Sequence, residues 1–289
     1  MPNYTLSIDQ LQRAEALVTP ALTFLSTQDY PLGEALIRYC WTNGPARDVT
    51  DALAAYQNDD GGFGRGLEVD IKSPASNPFA ARIAMHTLLV VPNDTAPGLR
   101  DRLRIWLDRN QHKDGDWHFS PEISKANLAP WFTTWEFPSL NPACCVAGLA
   151  KALGLATPRM LDRVESLFAD KASPQEATSG NFYRMLPYVE YATSRDVQDH
   201  EVYVEAVAQG IIIGNEKDAY DDAKHFFDHA LNAGEDVMAL LPNDLLASWT
   251  NRLLQEPAMD GGWPTQYDPA WASWTTASAL VTLARLRRG

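Results

Sequence analysis

Gln57-Asn58-Asp59-Asp60-Gly61-Gly62-Phe63 recurs without gaps as Gln111-His112-Lys113-Asp114-Gly115-Asp116-Trp117 and as Pro257-Ala258-Met259-Asp260-Gly261-Gly262-Trp263. The shared core is Asp-Gly-(Gly or Asp)-aromatic, headed by Gln in two copies. Each copy follows a segment with helical periodicity. Residues 48–56 put Val49, Leu53 and Tyr56 on one side, residues 99–109 do so with Leu99, Leu103, Trp106 and Leu107, and residues 245–254 with Leu245, Trp249 and Leu253. The glycine then stops the helix, because it takes the left-handed conformation of a C-terminal cap without steric cost.

An irregular stretch follows each copy and ends in Asn77-Pro78, Asn141-Pro142 or Asp268-Pro269. Asn and Asp accept from the unpaired amides at a helix start and Pro suits the first helical position, so each pair is expected to open a second helix. Those helices are residues 79–90, 143–155 and 270–287. The latter two are small or apolar on nearly every side and read as buried all round, whereas residues 99–109 are polar on one face. One unit is thus an outer helix, a Gly-aromatic loop and an inner helix. The first two copies start 54 residues apart, within the range of helical-hairpin arrays. Between the second and third copies, residues 158–170, 181–193, 199–213 and 221–231 supply further helices without the signature. Stacked hairpins must close on themselves or be capped. The fold class expected is all-α, an α/α toroid of roughly five to six hairpins, in one domain over residues 1–289 because no Pro/Gly/Ser linker divides the chain.

The loop resembles the QW motif of squalene-hopene and oxidosqualene cyclases, which runs Gln, three residues, Gly, one residue, Trp or Phe. Gln57/Gly61/Phe63 and Gln111/Gly115/Trp117 match it fully, and Gly261/Trp263 match its second half, with Pro257 in place of Gln. The resemblance to the terpenoid cyclase and prenyltransferase superfamily covers roughly half the chain. It implies the toroid, with the motifs as structural ties, and an apolar substrate in a central cavity. The chain departs from the chemistry of those families. It has no Asp-x-Asp-Asp motif, and Asp59-Asp60 falls inside a QW copy, where a capping role is expected. No cysteine follows Cys145 to complete the Asp, Cys and His zinc set of protein prenyltransferases, and residues 218–222 (DAYDD) only loosely imitate a diphosphate-binding Asp cluster. No metal and no cofactor are therefore expected.

Glu68 and Asp70, one residue apart in the segment 64–74 after the first copy, form the candidate catalytic acid pair. Close carboxylates push their pKa values apart, so that one stays protonated near neutrality. The competing reading is a solvated loop in which these acids pair with Arg65 and Lys72. Phe63, His118, Trp131, Trp135, Glu136, Trp263, Trp271 and Trp274 are the candidate substrate-binding residues, a dense aromatic set able to hold a hydrocarbon or, through ring faces, a cation. Packing of the same rings at a barrel mouth is the alternative, and bracing between outer helices is the expected role of the QW residues themselves. GxSxG, P-loop and GxGxxG patterns are absent.

The bulk properties exclude other classes. An apolar fraction of 45% with 21% charged residues suits a large globular core. A net charge of −13 opposes binding to nucleic acid or anionic lipid. Residues 202–213, the longest apolar stretch, are interrupted by Glu205, Gln209 and Gly210, so no membrane span is expected, and with no leader-like N-terminus the location expected is cytoplasmic. Cys40, Cys144 and Cys145 read as small core residues. The function expected is a metal-independent cyclase or isomerase, or a lyase, acting on an isoprenoid or polyketide-like molecule. The alternatives are a non-catalytic toroid that binds a small molecule or a protein, and a sugar-active barrel with two acids across a cleft. Nothing in the sequence sets an oligomeric state.

Overall fold

The computed structural model describes residues 4–287. Its helices are α1 (Ile8–Thr27), α2 (Pro31–Trp41), α3 (Ala46–Ala54), α4 (Pro78–Val90), α5 (Pro97–Asn110), α6 (Leu140–Ala152), α7 (Pro158–Lys171), α8 (Pro174–Ala177), α9 (Phe182–Pro187), α10 (His200–Glu216), α11 (Ala223–Asn232), α12 (Glu235–Met238), α13 (Asn243–Leu253) and α14 (Trp271–Arg287). Among the described residues there is no strand, only the isolated bridges Gln57 to Phe63 and Ile71 to Leu128, so the chain is all-α. No helix among them is long and apolar enough to cross a membrane.

Two compact units emerge. One holds Ala46–Ser173 with Glu190–Ser194, and the other holds the residues up to Pro45, Pro174–Val189 and the residues from Arg195 onward. In the first, α4 packs on α3 and α6, and α6 on α7. In the second, α14 packs on α1, α2 and α11, and α10 on α8, α9, α11 and α12. The contrast between outer and inner helices is visible in burial: ten of the 13 residues of α6 are buried against four of the 14 in α7.

The three signature loops fold alike. In each, the second residue donates its amide to the sixth residue's carbonyl (Asn58 to Gly62, His112 to Asp116, Ala258 to Gly262), at 2.8 to 2.9 Å. The fourth residue, Asp60, Asp114 or Asp260, accepts from the amide two residues on, at 2.9 to 3.1 Å. Asp60 is thus a turn-forming acid inside the loop, where a helix-capping role was expected. The glycine has φ of +92° in Gly61, +94° in Gly115 and +90° in Gly261, and lies hard against a helix carbonyl: Arg102 of α5, Arg163 of α7 and Pro20 of α1. The two glutamines complete the tie. Gln57 Nε2 donates to the carbonyls of Gly61 and Leu99, both at 3.0 Å, and Gln111 Nε2 to those of Gly115 and Met160, at 3.1 and 3.0 Å. The indoles of Trp117 and Trp263 donate back to Leu107 and Leu253 at the end of their own outer helices.

Two local expectations need correction, and one helix pair was not foreseen. Asn77 caps α4 through Ala80 N, but Asn141 does not cap α6: its φ/ψ is non-helical inside that element and its Oδ1, though buried, has no hydrogen-bond partner. Residues 181–193 are not one α-helix. α9 ends at Pro187, which has no N–H to continue the ladder, and a π-helical turn, Tyr188–Ala192, follows. The pair α1 and α2 was not anticipated, although Ser7 and Gln10 form a capping box at the start of α1.

Candidate functional site

The segment 64–76 is held at many points. Arg65 N donates to Pro74 O at 3.1 Å, Lys72 N to Asn127 O at 2.7 Å, and Ala129 N to Asp70 O at 2.8 Å. Glu68 is buried, and its Oε1 accepts from the Asp70 amide at 3.1 Å, so this carboxylate closes its own turn. Arg65 Nε donates to Asn58 Oδ1 at 2.8 Å. Glu68 and Asp70 are therefore neighbours in a locked loop. Asp116, buried in the same unit, is raised to about 7 by burial, against the amides of Ser139 and Trp117 that donate to it.

The aromatic candidates separate into groups. Phe63 and Trp263 are fully buried in their signature loops. Ile71, Phe79, Ile123 and Phe132 form a buried cluster joined by Phe119 and Trp135, with Phe79 4.6 Å from Phe132 and 5.2 Å, edge to face, from Trp135. These rings fill one another's gaps, a packed plug over the inner helix α4. Trp131 is 49% exposed and Glu136 is exposed. Trp271 and Trp274 are half-buried in the first turn of α14. His118 stacks between Phe137, at 4.8 Å, and His112, at 3.8 Å. Burial lowers its pKa, against the raising effect of Asp114.

A second charged cluster in that unit joins α4 to the π turn. Arg82 Nε donates to Glu190 Oε2 and His86 Nε2 meets Oε1, both at 2.9 Å. Burial pushes the Glu190 carboxyl up, but Arg82 and His86 together outweigh it and hold the group well below the usual carboxylate range.

An open concavity lies in the other unit, a pocket of about 380 Å³ whose walls include Phe182, Tyr183, Lys217, Asp221, His225 and Tyr267. Three short chain segments build it: the turn into α9, the turn into α11, and the segment after the third signature loop. Asp222 caps α11 by accepting from His225 N at 2.8 Å, and its Oδ1 also meets His225 Nδ1 at 2.7 Å. An Asp at the cap with His three residues on thus fixes the ring at the pocket wall. Burial raises Asp222, yet the hydrogen bond and charge of His225 prevail and its pKa is lowered. An ionised Asp222 accepts the Nδ1 proton and leaves Nε2 as the basic nitrogen. Phe182 stands edge-on to His225 at 4.7 Å. Its own position is set by His229, fully buried, whose Nε2 meets Phe182 O at 3.0 Å while Nδ1 meets Tyr220 Oη at 2.9 Å.

Facing His225, with ring centroids 5.5 Å apart, is Tyr267. Its hydroxyl donates to Asp221 Oδ2 at 2.7 Å and accepts from the Tyr183 hydroxyl at 3.0 Å. Burial, then the hydrogen bonds to Tyr183 and Asp221, raise the pKa of Tyr267, so it stays protonated. Lys217 Nζ donates to Ser179 O at 3.3 Å on the pocket wall. Of the residues singled out in the sequence, the Asp221-Asp222 end of DAYDD lies here. His225, Tyr183 and Phe182 were missed, although Asp222-x-x-His225 at a helix start was a readable signal. Comparison of the chain with protein-family models, with curated proteins and with solved structures gives no match.

Proposed function

We propose that this chain is an acid–base enzyme, an isomerase or cyclase for a small molecule with an apolar body and a polar end, working from the pocket of His225 and Tyr267. The observation that carries it is the Asp222–His225 contact of 2.7 Å on one wall with the protonated Tyr267 opposite. A base oriented by a carboxylate, with a hydroxyl donor a few ångströms away, suits moving a proton between two atoms of one substrate. His225 Nε2 takes a proton from carbon beside a carbonyl, and its imidazolium is stabilised by Asp222. Tyr183 turns its O–H from the Tyr267 oxygen to the substrate oxygen on which charge develops, while Tyr267 keeps its own proton on Asp221, and His225 returns the proton at the new position. Phe182 and the two tyrosine rings hold the apolar body, and about 380 Å³ suits a small ligand.

The toroid of roughly five to six hairpins is part of the same proposal. Its support is the repeated tie of each signature loop to another outer helix, with the last loop seated on α1. The apolar substrate that the sequence implied keeps its place, with the proton chemistry assigned to His225 and not to Glu68 and Asp70.

A general probe tests this without knowledge of the natural substrate. 5-Nitrobenzisoxazole opens on a single proton abstraction to a coloured phenolate. The wild-type protein is expected to exceed imidazole at equal concentration, with saturation, and His225→Gln to lose about 10²-fold or more of that rate with an unchanged circular dichroism spectrum. A wild-type rate equal to that of imidazole, or one that survives His225→Gln, overturns the proposal. A loss confined to Glu68→Gln or Asp70→Asn would move the site to the 64–74 loop, and saturable binding without turnover would favour the ligand-binding toroid.

A further inference from the structure

Among the described residues, His112, Asp114 and His118 bring one ligand atom each to within 4.8 Å of one another. All three belong to the second signature loop, at its second and fourth positions and just past its aromatic. The other loops provide an internal comparison. Their corresponding residues are Asn58, Asp60 and Gly64, and Ala258, Asp260 and Pro264. In the first loop the carboxylate is fully engaged, Asp60 accepting from Gly62 N, Ser76 Oγ and Trp106 Nε1. In the second, Asp114 Oδ1 accepts from Asp116 N at 3.1 Å, and Oδ2 stands 3.0 Å from His118 Nε2. That nitrogen is shut off from solvent and makes no hydrogen bond, so the contact is close without being aligned. The His112 ring lies over His118 at 3.8 Å with 18° between the planes.

We infer that this loop binds a divalent first-row transition cation of the zinc class through Asp114 Oδ2, His118 Nε2 and one nitrogen of His112. Two imidazoles and one carboxylate form a donor set suited to such borderline ions. Bonds of about 2.0–2.2 Å place neighbouring donors roughly 3.3 Å apart around a tetrahedral ion. The His118–Asp114 pair is already near that separation, and rotation of the exposed His112 side chain closes the rest. A cation there turns the unaligned contact into two metal bonds and satisfies the buried nitrogen. Gly115 against the α7 carbonyl and the turn hydrogen bonds keep the backbone fixed, so binding needs little reorganisation. Three protein ligands leave a coordination position for water or for a ligand oxygen. The inference is independent of the His225 pocket, and either can fail alone.

Titration of the full chain with cobalt(II) chloride in a non-chelating buffer, followed by visible absorption, tests it. One equivalent is expected to bind with ligand-field bands. His112→Ala, His118→Ala and Asp114→Asn, the last retaining an Oδ1 for Asp116 N, should each weaken binding at least about tenfold. Should a variant fail to fold, zinc titration of the wild type followed by imidazole nitrogen resonances supplies the answer, with the shifts expected at His112 and His118. Absence of saturable binding, equal affinity in all variants, or shifts confined to other histidines would each overturn the inference.

Discussion

Alanine at Gly61 and at Gly66 separates two costs that usually come together. Both glycines sit in the same stretch of chain with positive φ, +92° and +79°. A β-carbon at Gly66 would meet nothing within 4 Å, so Gly66→Ala carries only the left-handed strain, about 1–2 kcal/mol. At Gly61 the β-carbon would stand 2.4 Å from the carbonyl oxygen of Arg102 and 2.9 Å from its carbon, both backbone atoms of α5. Ordinary contact begins near 3.4 Å, so the loop must retreat by about 1 Å and stretch the Gln57 tie to Leu99 O, an overpacking cost of about 1–3 kcal/mol added to the strain. Gly61→Ala should therefore cost roughly 2–5 kcal/mol, which at about 2–4 °C per kcal/mol lowers the melting temperature well beyond the effect of Gly66→Ala. Differential scanning calorimetry of the two variants beside the wild type measures it. Equal melting temperatures for the two variants would refute the claim that close seating of the loop on the next outer helix holds the repeat together.

Gln57→Ala removes two side-chain hydrogen bonds to buried carbonyls and should cost about 1–3 kcal/mol in urea unfolding. Glu190→Gln leaves Arg82 and His86 facing a neutral group and should cost about 3 kcal/mol at pH 7. Because the folded pKa of Glu190 lies well below its ordinary value of 4.5, the ion pair stabilises fully above that pH and fades as pH falls toward the folded pKa, so the gap between wild type and Glu190→Gln should hold from pH 7 to about pH 5 and narrow steadily below it in the same assay. Trp131→Ala, at a half-exposed position, should change stability by no more than about 0.5 kcal/mol, whereas Phe132→Ala in the buried cluster should cost about 3 kcal/mol by thermal unfolding.

What could be read in the sequence was whatever depends on short-range chemistry. The Asp-Gly core dictates its own turn, and the Asp114 and Asp260 side chains close it as Asp60 does, so three loops and their flanking helices were legible from composition and spacing. Gln57 and Gln111 were assigned as ties, yet their acceptors Leu99 and Met160 lie 42 and 49 residues on, beyond any local pattern. The acid pair illustrates the limit. Spacing puts Glu68 beside Asp70 in the chain, but whether a carboxylate faces a cavity or its own backbone depends on the turn, and here Glu68 accepts from the Asp70 amide. The aromatic loop was legible as a dense set of rings and not as a plug, because Phe79, at its centre, comes from a helix 40 residues earlier than Phe119. The pocket is non-local in the same way: Tyr183, Asp221 and Tyr267 meet across 84 residues of chain.

The central claim is that a substrate sits between His225 and the Tyr183–Tyr267 hydroxyl pair. A crystal structure of the protein soaked with a planar phenol, whose phenolate imitates an enolate in charge and shape, tests it most directly. The account predicts the phenol oxygen within hydrogen-bond distance of the Tyr183 or Tyr267 hydroxyl, with the ring against Phe182 and its edge toward His225 Nε2. A phenol bound against the Glu68 loop, or His225 Nε2 turned into the protein away from the bound ring, would contradict it.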